Sequence, residues 1–429
     1  MVEHETDSVD EFFEATTSPQ PPAKTPGLWR RYRRLPTNVF AIGIVSLLND
    51  ASSEIIYPLL PVFLSLTLGA SPAVVGLIEG AAESVSSLLK LFAGYFSDRR
   101  GKRKVFVVLG YGLANLVRPL LAFASSWYQV LAIRLVDRVG KGIRSAPRDA
   151  MIADAVNPNE RGLAFGFHRA MDHTGAVVGP LLGYLLVIWF ADNSDQITAA
   201  EFTRIFLLAS VPAIAAVVVV SFFVRESEVP RETNNVGVVA PPRLSLAGFD
   251  RNFKRFLLII ALFTLSNSSD AFLLLRAQDA GVSIGTIPLM WALLHVSKVV
   301  SSIFGGDLSD RLGRRRLIVS GWVLYAAVYA GFAFVSNAIS VWILFVIYGI
   351  YFGLVEGAEK ALVADLVKPD QRGTAYGLYN LAFGITVFPA SLLMGALWSW
   401  SGPEVAFLVS AAIGLLAALF LMTTVRVSR

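Results

Sequence analysis

Apolar stretches of roughly twenty residues recur from residue 38 to residue 425, each long enough to cross about 30 Å of hydrocarbon as a helix. A chain built this way has the bilayer as its solvent. Backbone polar groups in hydrocarbon need internal partners, and the alternating ten-residue pattern of a membrane barrel is missing, so the spans are read as helices. The balance of 55% hydrophobic to 16% charged residues exceeds what a soluble core uses.

The apolar windows predict twelve spans, near residues 38–66, 72–97, 104–124, 127–150, 162–190, 203–224, 255–277, 284–308, 316–335, 339–364, 373–399 and 403–425. The one long polar interruption, residues 225–253, is rich in Pro, Asn and charge and reads as a linker. It divides the chain into an N-terminal six-helix bundle at 38–224 and a C-terminal one at 254–429. Residues 1–37 begin with Glu3, Glu5, Asp7, Asp10, Glu11 and Glu14 and continue through a Pro-rich stretch. That composition suits a disordered tail and not a signal peptide.

Lys and Arg in short loops set orientation. They cluster at Arg30–Arg34, Arg99–Lys104, Arg161, the linker, Arg311–Arg316, Lys368 with Arg372, and Arg426 with Arg429, and they alternate with loops nearly free of positive charge. Both termini are therefore expected to be cytoplasmic, in a bacterial inner membrane. The formal net charge of +5 is then explained by topology and contact with lipid headgroups, and no nucleic-acid partner is expected. Cysteine is absent, which removes disulfides and thiolate metal sites. With no Walker loop or HExxH, neither enzyme activity nor a cofactor is expected.

The chain repeats itself. Gly94-Tyr-Phe-Ser-Asp98-Arg99-Arg-Gly101-Lys102-Arg103 recurs as Gly306-Asp-Leu-Ser-Asp310-Arg311-Leu-Gly313-Arg314-Arg315, and Ala153-Asp154 through Gly166 recurs as Ala364-Asp365 through Gly377. Each copy follows an even-numbered span, so the two halves are parallel repeats about an axis along the membrane normal.

Those loops resemble the cytoplasmic signature of the major facilitator superfamily. The resemblance implies an all-α fold of twelve transmembrane helices in two pseudo-symmetric six-helix bundles. It also implies a conformational latch formed by Asp98, Arg99, Gly101, Lys102 and Arg103, with a second copy at Asp310, Arg311, Gly313, Arg314 and Arg315. In the fourth span, Arg138 followed by Gly142 resembles the family's second motif, although Lys141 and Arg144 depart from it. In the fifth, Gly175, Gly179, Pro180 and Gly183 are similar to the Gly-Pro signature associated with antiporters and exporters.

Ionisable residues inside spans are costly and default to functional readings. Asp50/Glu54, Glu79/Glu83, Arg134/Arg138, Asp137/Lys141, His168/Asp172 and Arg169/His173 are spaced i, i+4 and share helix faces. Asp50, Glu54, Glu79, Glu83, Asp137 and Asp172 are thus expected to line a cavity that couples protons to transport. Arg118, Arg134 and Arg138 serve as counter-charges, and His168 and His173 as relays. Lys90, Arg144 and Arg169, nearer the span ends, are expected only to snorkel. His295 and Lys298, with no acid near them in their own span, join Trp291, Tyr348, Tyr351 and Glu356 as substrate-binding candidates, and Phe352 and Tyr379 offer further ring contacts. The expectation is a monomeric secondary transporter working by rocker-switch alternating access, exporting a small organic compound with protons. Rival readings are a carrier of an anionic metabolite, phosphate ester or ferric chelate, and a non-transporting sensor or assembly component on the same scaffold.

Overall fold

The structure, a computed structural model, describes residues 33–100, 102–157, 160–191, 196–226, 245–368 and 371–425. The expected tail as far as residue 32 and linker residues 227–244 lie outside the described residues. Among the described residues every regular element is helical.

In the first half α1 (Thr37–Ile56), α2 (Pro72–Arg100), α3 (Arg103–Val117), α4 (Trp127–Asp154), α5 (Arg161–Phe190) and α6 (Ala199–Phe222) follow in order. The first crossing continues through a π-turn at Phe63–Thr67, and the third tightens into a 3-10 turn, Arg118–Phe123, at Pro119. In the second half are α7 (Arg251–Ser266), α8 (Ala271–Asp279), α9 (Ile287–Leu312), α10 (Arg314–Phe334), α11 (Ala338–Asp365) and α12 (Arg372–Thr424). Helices α7 and α8 form one crossing interrupted at residues 267–270. Helix α12 is two crossings run together, divided at Gly402, whose φ of 86° belongs to a turn.

Ten helices are long and apolar enough to span by composition alone. Helix α4 falls below that measure because its face carries Arg134, Asp137, Arg138, Lys141 and Arg144, and α12 counts once although it crosses twice. Twelve crossings result, close to the sequence-predicted bounds. Large apolar side chains such as Trp189, Phe222, Leu258, Ile339 and Trp400 are exposed on the outside, while Arg118, Arg134 and Asp137 are buried. This inversion of a soluble protein's arrangement is what lipid requires.

The two bundles use one packing scheme. Helix α1 lies against α5 and α6, and α2 and α3 against α4; correspondingly α7 lies against α12, and α9 and α10 against α11. The bundles meet where α2 packs on α12 and α5 packs on α9.

Candidate functional site: a polar cavity between the bundles

A cavity of about 530 Å³ separates the bundles. Its lining runs on α2 from Glu79 to Lys90, on α11 from Tyr348 to Lys360, and on α12 from Tyr379 to Ser391. On α11 the lining reaches toward the end that meets the basic loop, where Glu356 and Lys360 are half exposed. The cavity therefore opens toward the basic-loop side. At the other end it is closed by contact between bundles: the Tyr57 ring lies 5.2 Å from that of Trp291, and the Ala73 N–H donates to Ser399 Oγ at 3.2 Å. The break between α7 and α8 contributes Asn267, Ser268, Ser269 and Asp270 to the lining, as an interrupted helix does where it faces a cavity and not lipid.

The first-bundle wall is built from α2 and α4. Arg134 grips Glu79 with both ends of its fork, at 2.7 to 3.1 Å. One turn on, Arg138 and Lys141 each stand 3.9 Å from Glu83. Behind the wall Arg118 donates to Asp137 at 2.9 Å and to Ser52 Oγ at 2.9 Å, tying the turn after α3 to α4 and α1. Asp137 is thereby held inside the bundle and away from the cavity lining.

At the closed end the two bundles share polar contacts. Trp291 Nε1 on α9 donates to Glu54 on α1 at 2.7 Å, and His295 Nε2 stands 3.8 Å from the same carboxylate. Lys298 Nζ is 3.7 Å from Asp270 and 4.0 Å from the centre of the Phe352 ring, and Tyr348 donates to Asp270 at 2.7 Å. The candidates lacking an acid in their own helix thus find one on another helix.

The latch positions are resolved in part. Gly101 and the side chains of Asp98, Arg99 and Asp310 lie outside the described residues. Arg103 pairs with Asp154, and Arg314 pairs with Asp365. In each half a basic residue just after the motif glycine thus pairs with the Asp that ends the fourth or tenth crossing, although Arg314 stands one place earlier in the motif than Arg103. Gly313 has φ 85°, the left-handed turn that favours Gly at that motif position.

The sequence profile described as Major Facilitator Superfamily matches residues 42–358 and 244–429. The chain is a Major Facilitator Superfamily transporter. It is 36% identical over 396 residues to an MFS-type transporter of Methanocaldococcus jannaschii, with 91% of this chain and 95% of that one covered. It is 26% identical over 354 residues to a multi-drug resistance efflux pump PmrA homolog of Lactococcus lactis, covering 80% and 82%. Among solved structures, a bacterial homolog to the human lysosomal transporter Spinster, in an inward-facing and occupied conformation, superposes with a TM-score of 0.71 at 17% identity, covering 90% of this chain and 95% of that one. That likeness is one of fold.

In this transporter the glycines of α5 are the contact with α1. A Cβ on Gly175 would lie 2.6 Å from the Leu47 carbonyl oxygen and 3.0 Å from Asp50 Cβ, and one on Gly179 would lie 2.8 Å from Glu54 Cβ. Small residues let the two backbones approach, and the helix so held carries Asp50 and Glu54. Asp50 itself accepts from Asn49 at 2.8 Å.

His168 and Asp172 do not reach the cavity lining. His168 is buried, 2.8 Å from Ser46 Oγ and 3.5 Å from Asp172, with Tyr111 and Arg148 also on Ser46 at 3.1 and 3.5 Å. They form a second polar cluster inside the first bundle. His173, next in sequence to Asp172, is partly buried on α5. The snorkelling expectation fails for Arg144, which is 6% exposed and lies 4.3 Å over the Tyr111 ring; its face of α4 points at α3, not at lipid. It fails for Lys90 as well, which lines the cavity, whereas the Arg169 side chain is 60% exposed. Trp291 is buried behind Glu54, while Tyr348, Tyr351, Phe352 and Tyr379 border the cavity. Glu356 pairs with Lys360 at 2.9 Å within α11.

Several residues of the cavity and of the inner cluster were not among the site candidates read from sequence. Glu359 accepts from Tyr379 at 2.8 Å and from Trp322 at 3.0 Å; its position inside a span was the available signal. Tyr57, Ser46 and Tyr111 carry no charge and gave none. Arg276 has a structural task, capping the carbonyls of Phe332, Ala333 and Val335 at the end of α10.

Proposed function

We propose that this transporter exports a small organic compound in exchange for protons, acting as a monomer by rocking its bundles about the cavity, with the basic loops and both termini in the cytoplasm of a bacterial cell. The observation that carries the coupling is the environment of Glu54. Among the described residues no Arg or Lys stands within salt-bridge distance of it, and its partners, Trp291 and His295, belong to the opposite bundle. Rocking removes both partners and changes what surrounds the carboxylate, so proton binding at Glu54 and the state of the closed end are linked. Glu79, in contrast, is neutralised by Arg134 within its own bundle in any position of the two halves. The export direction is supported by the efflux activity in the name of the Lactococcus relative and by the Gly-Pro pattern of α5.

Proteoliposomes with an imposed pH gradient test this reading against a panel of amphipathic organic dyes of either charge. Dye movement that follows the gradient and stops on adding a protonophore is expected. Flux indifferent to the gradient removes the coupling, and flux of no dye in either direction, from protein that holds its fold, removes the export reading.

A further inference from the structure

We propose that the first-bundle wall of the cavity binds the anionic group of an organic substrate, with Lys90, Arg138 and Lys141 as its ligands and the rings of the second bundle as the seat of its apolar body. The inference rests on the transport reading above and names the chemistry of what is carried.

Unequal pairing along the wall leads to it. Arg134 is committed to Glu79 and Arg118 to Asp137, which leaves Glu83 to serve three cations. Arg138 and Lys141 approach it only to 3.9 Å, too far for hydrogen bonds. Arg138 Nε is buried and has no hydrogen-bond partner. Arg138 also stands 3.8 Å from Asp137, but that carboxylate is already bonded to Arg118. Lys90 lies two turns from Glu83 on the same face of α2 and lines the cavity. Among the described residues no carboxylate comes within salt-bridge distance of it. Like charges gathered in a cleft with too few counter-ions are unfavourable, and a carboxylate or phosphate placed among them restores the balance. The guanidinium, with an unused edge, offers such a group a fork of parallel donors.

The opposite wall has different chemistry. Glu356 is paired with Lys360, and Glu359 accepts from Trp322 and Tyr379. Those two carboxylates being partnered, the apolar surface this wall offers a ligand is the rings of Phe352, Phe383 and Tyr379. A molecule with an anionic head and an apolar or aromatic body matches both walls at once.

Three probes that share a ring system and differ in charge test the proposal: naphthalene-2-carboxylate, 2-naphthalenemethanol and 2-naphthylmethylammonium, titrated calorimetrically into the full chain in phosphatidylcholine nanodiscs. The carboxylate is expected to bind at least about tenfold more tightly than the ammonium. Arg138→Gln and Lys141→Gln should each weaken the carboxylate by about tenfold and leave the alcohol unchanged, which also shows that the variants are folded. Phe352→Ala should weaken all three. Equal binding of the three, tighter binding of the ammonium, no saturable binding of the carboxylate, or an equal loss for the alcohol in the charge variants overturns the proposal. Repetition in phosphatidylglycerol nanodiscs separates a free organic anion from a lipid headgroup. Unchanged affinity supports the former, and loss of carboxylate binding assigns the cations to lipid and overturns the proposal. Flux that ignores the pH gradient while carboxylate binding survives would sink the coupling reading and leave this site standing.

Discussion

Gly179 lies so close to Glu54 that a Cβ on the glycine would sit 2.8 Å from the glutamate's own Cβ and 2.5 Å from the Ala51 carbonyl oxygen. The neighbouring atoms are mostly backbone, which cannot move aside as a side-chain tip can. Gly179→Ala should therefore force α5 away from α1, at a cost of about 1–3 kcal/mol for an overpacked contact, and displace Glu54 from Trp291. Thermal unfolding of the purified variant and dye flux in proteoliposomes check this. Unchanged stability together with unchanged flux would show that the close approach has no consequence.

The pair Arg134–Glu79 is buried on both sides, at 8% and 7% side-chain exposure. Glu79→Gln leaves a buried guanidinium without its counter-charge and should cost about 3–5 kcal/mol. Replacing both residues, as Glu79→Met with Arg134→Met, should recover most of that stability, because an apolar pair of similar volume carries no desolvation penalty. Melting temperatures of Glu79→Met, Arg134→Met and the double variant, compared in one detergent, form the cycle. Additive losses would mean that the two side chains do not act on each other.

Sidedness is open to direct labelling because the chain contains no cysteine. Single cysteines at Lys102 and Arg315, in the two copies of the basic loop, should react with an impermeant maleimide only after the membrane of right-side-out spheroplasts is opened. One at Ser71, in the loop before α2, should react beforehand. Labelling of Lys102→Cys and Arg315→Cys from opposite faces would contradict the parallel repeat.

The repeat and the spans were legible in sequence because each is local: an apolar run, a motif copied at a fixed distance. What the charged residues touch was not legible. Glu54 and Trp291 are 237 positions apart, and Lys298 meets Asp270 from another helix. Helical spacing says that His168 and Asp172 share a face but not which neighbour the face meets, and that neighbour is Ser46 of α1, inside the bundle. Arg144 was misread for the same reason: nearness to a helix end fixes depth in the membrane and says nothing of direction around the helix axis.

Glu54→Gln separates proton coupling from architecture. The amide oxygen can still accept the Trp291 N–H, so the contact closing the far end persists, but the side chain no longer exchanges a proton. With the carboxylate in place, far-side pH should shift the population in which Glu54 is separated from Trp291 and the cavity is exposed there, since whichever state binds the proton better gains population. Ser269→Cys, in the break between α7 and α8 and on the cavity lining, reports that exposure through its rate of reaction with an impermeant maleimide added to the far side of proteoliposomes. In the otherwise unaltered protein the rate should change with far-side pH, once the reagent's own pH dependence is measured on an exposed cysteine at Ser71 and divided out. With Glu54→Gln present the corrected rate should be flat across pH. Retention of the full response in the variant would move the proton site elsewhere, with Asp50, one turn away on α1, the next carboxylate to neutralise.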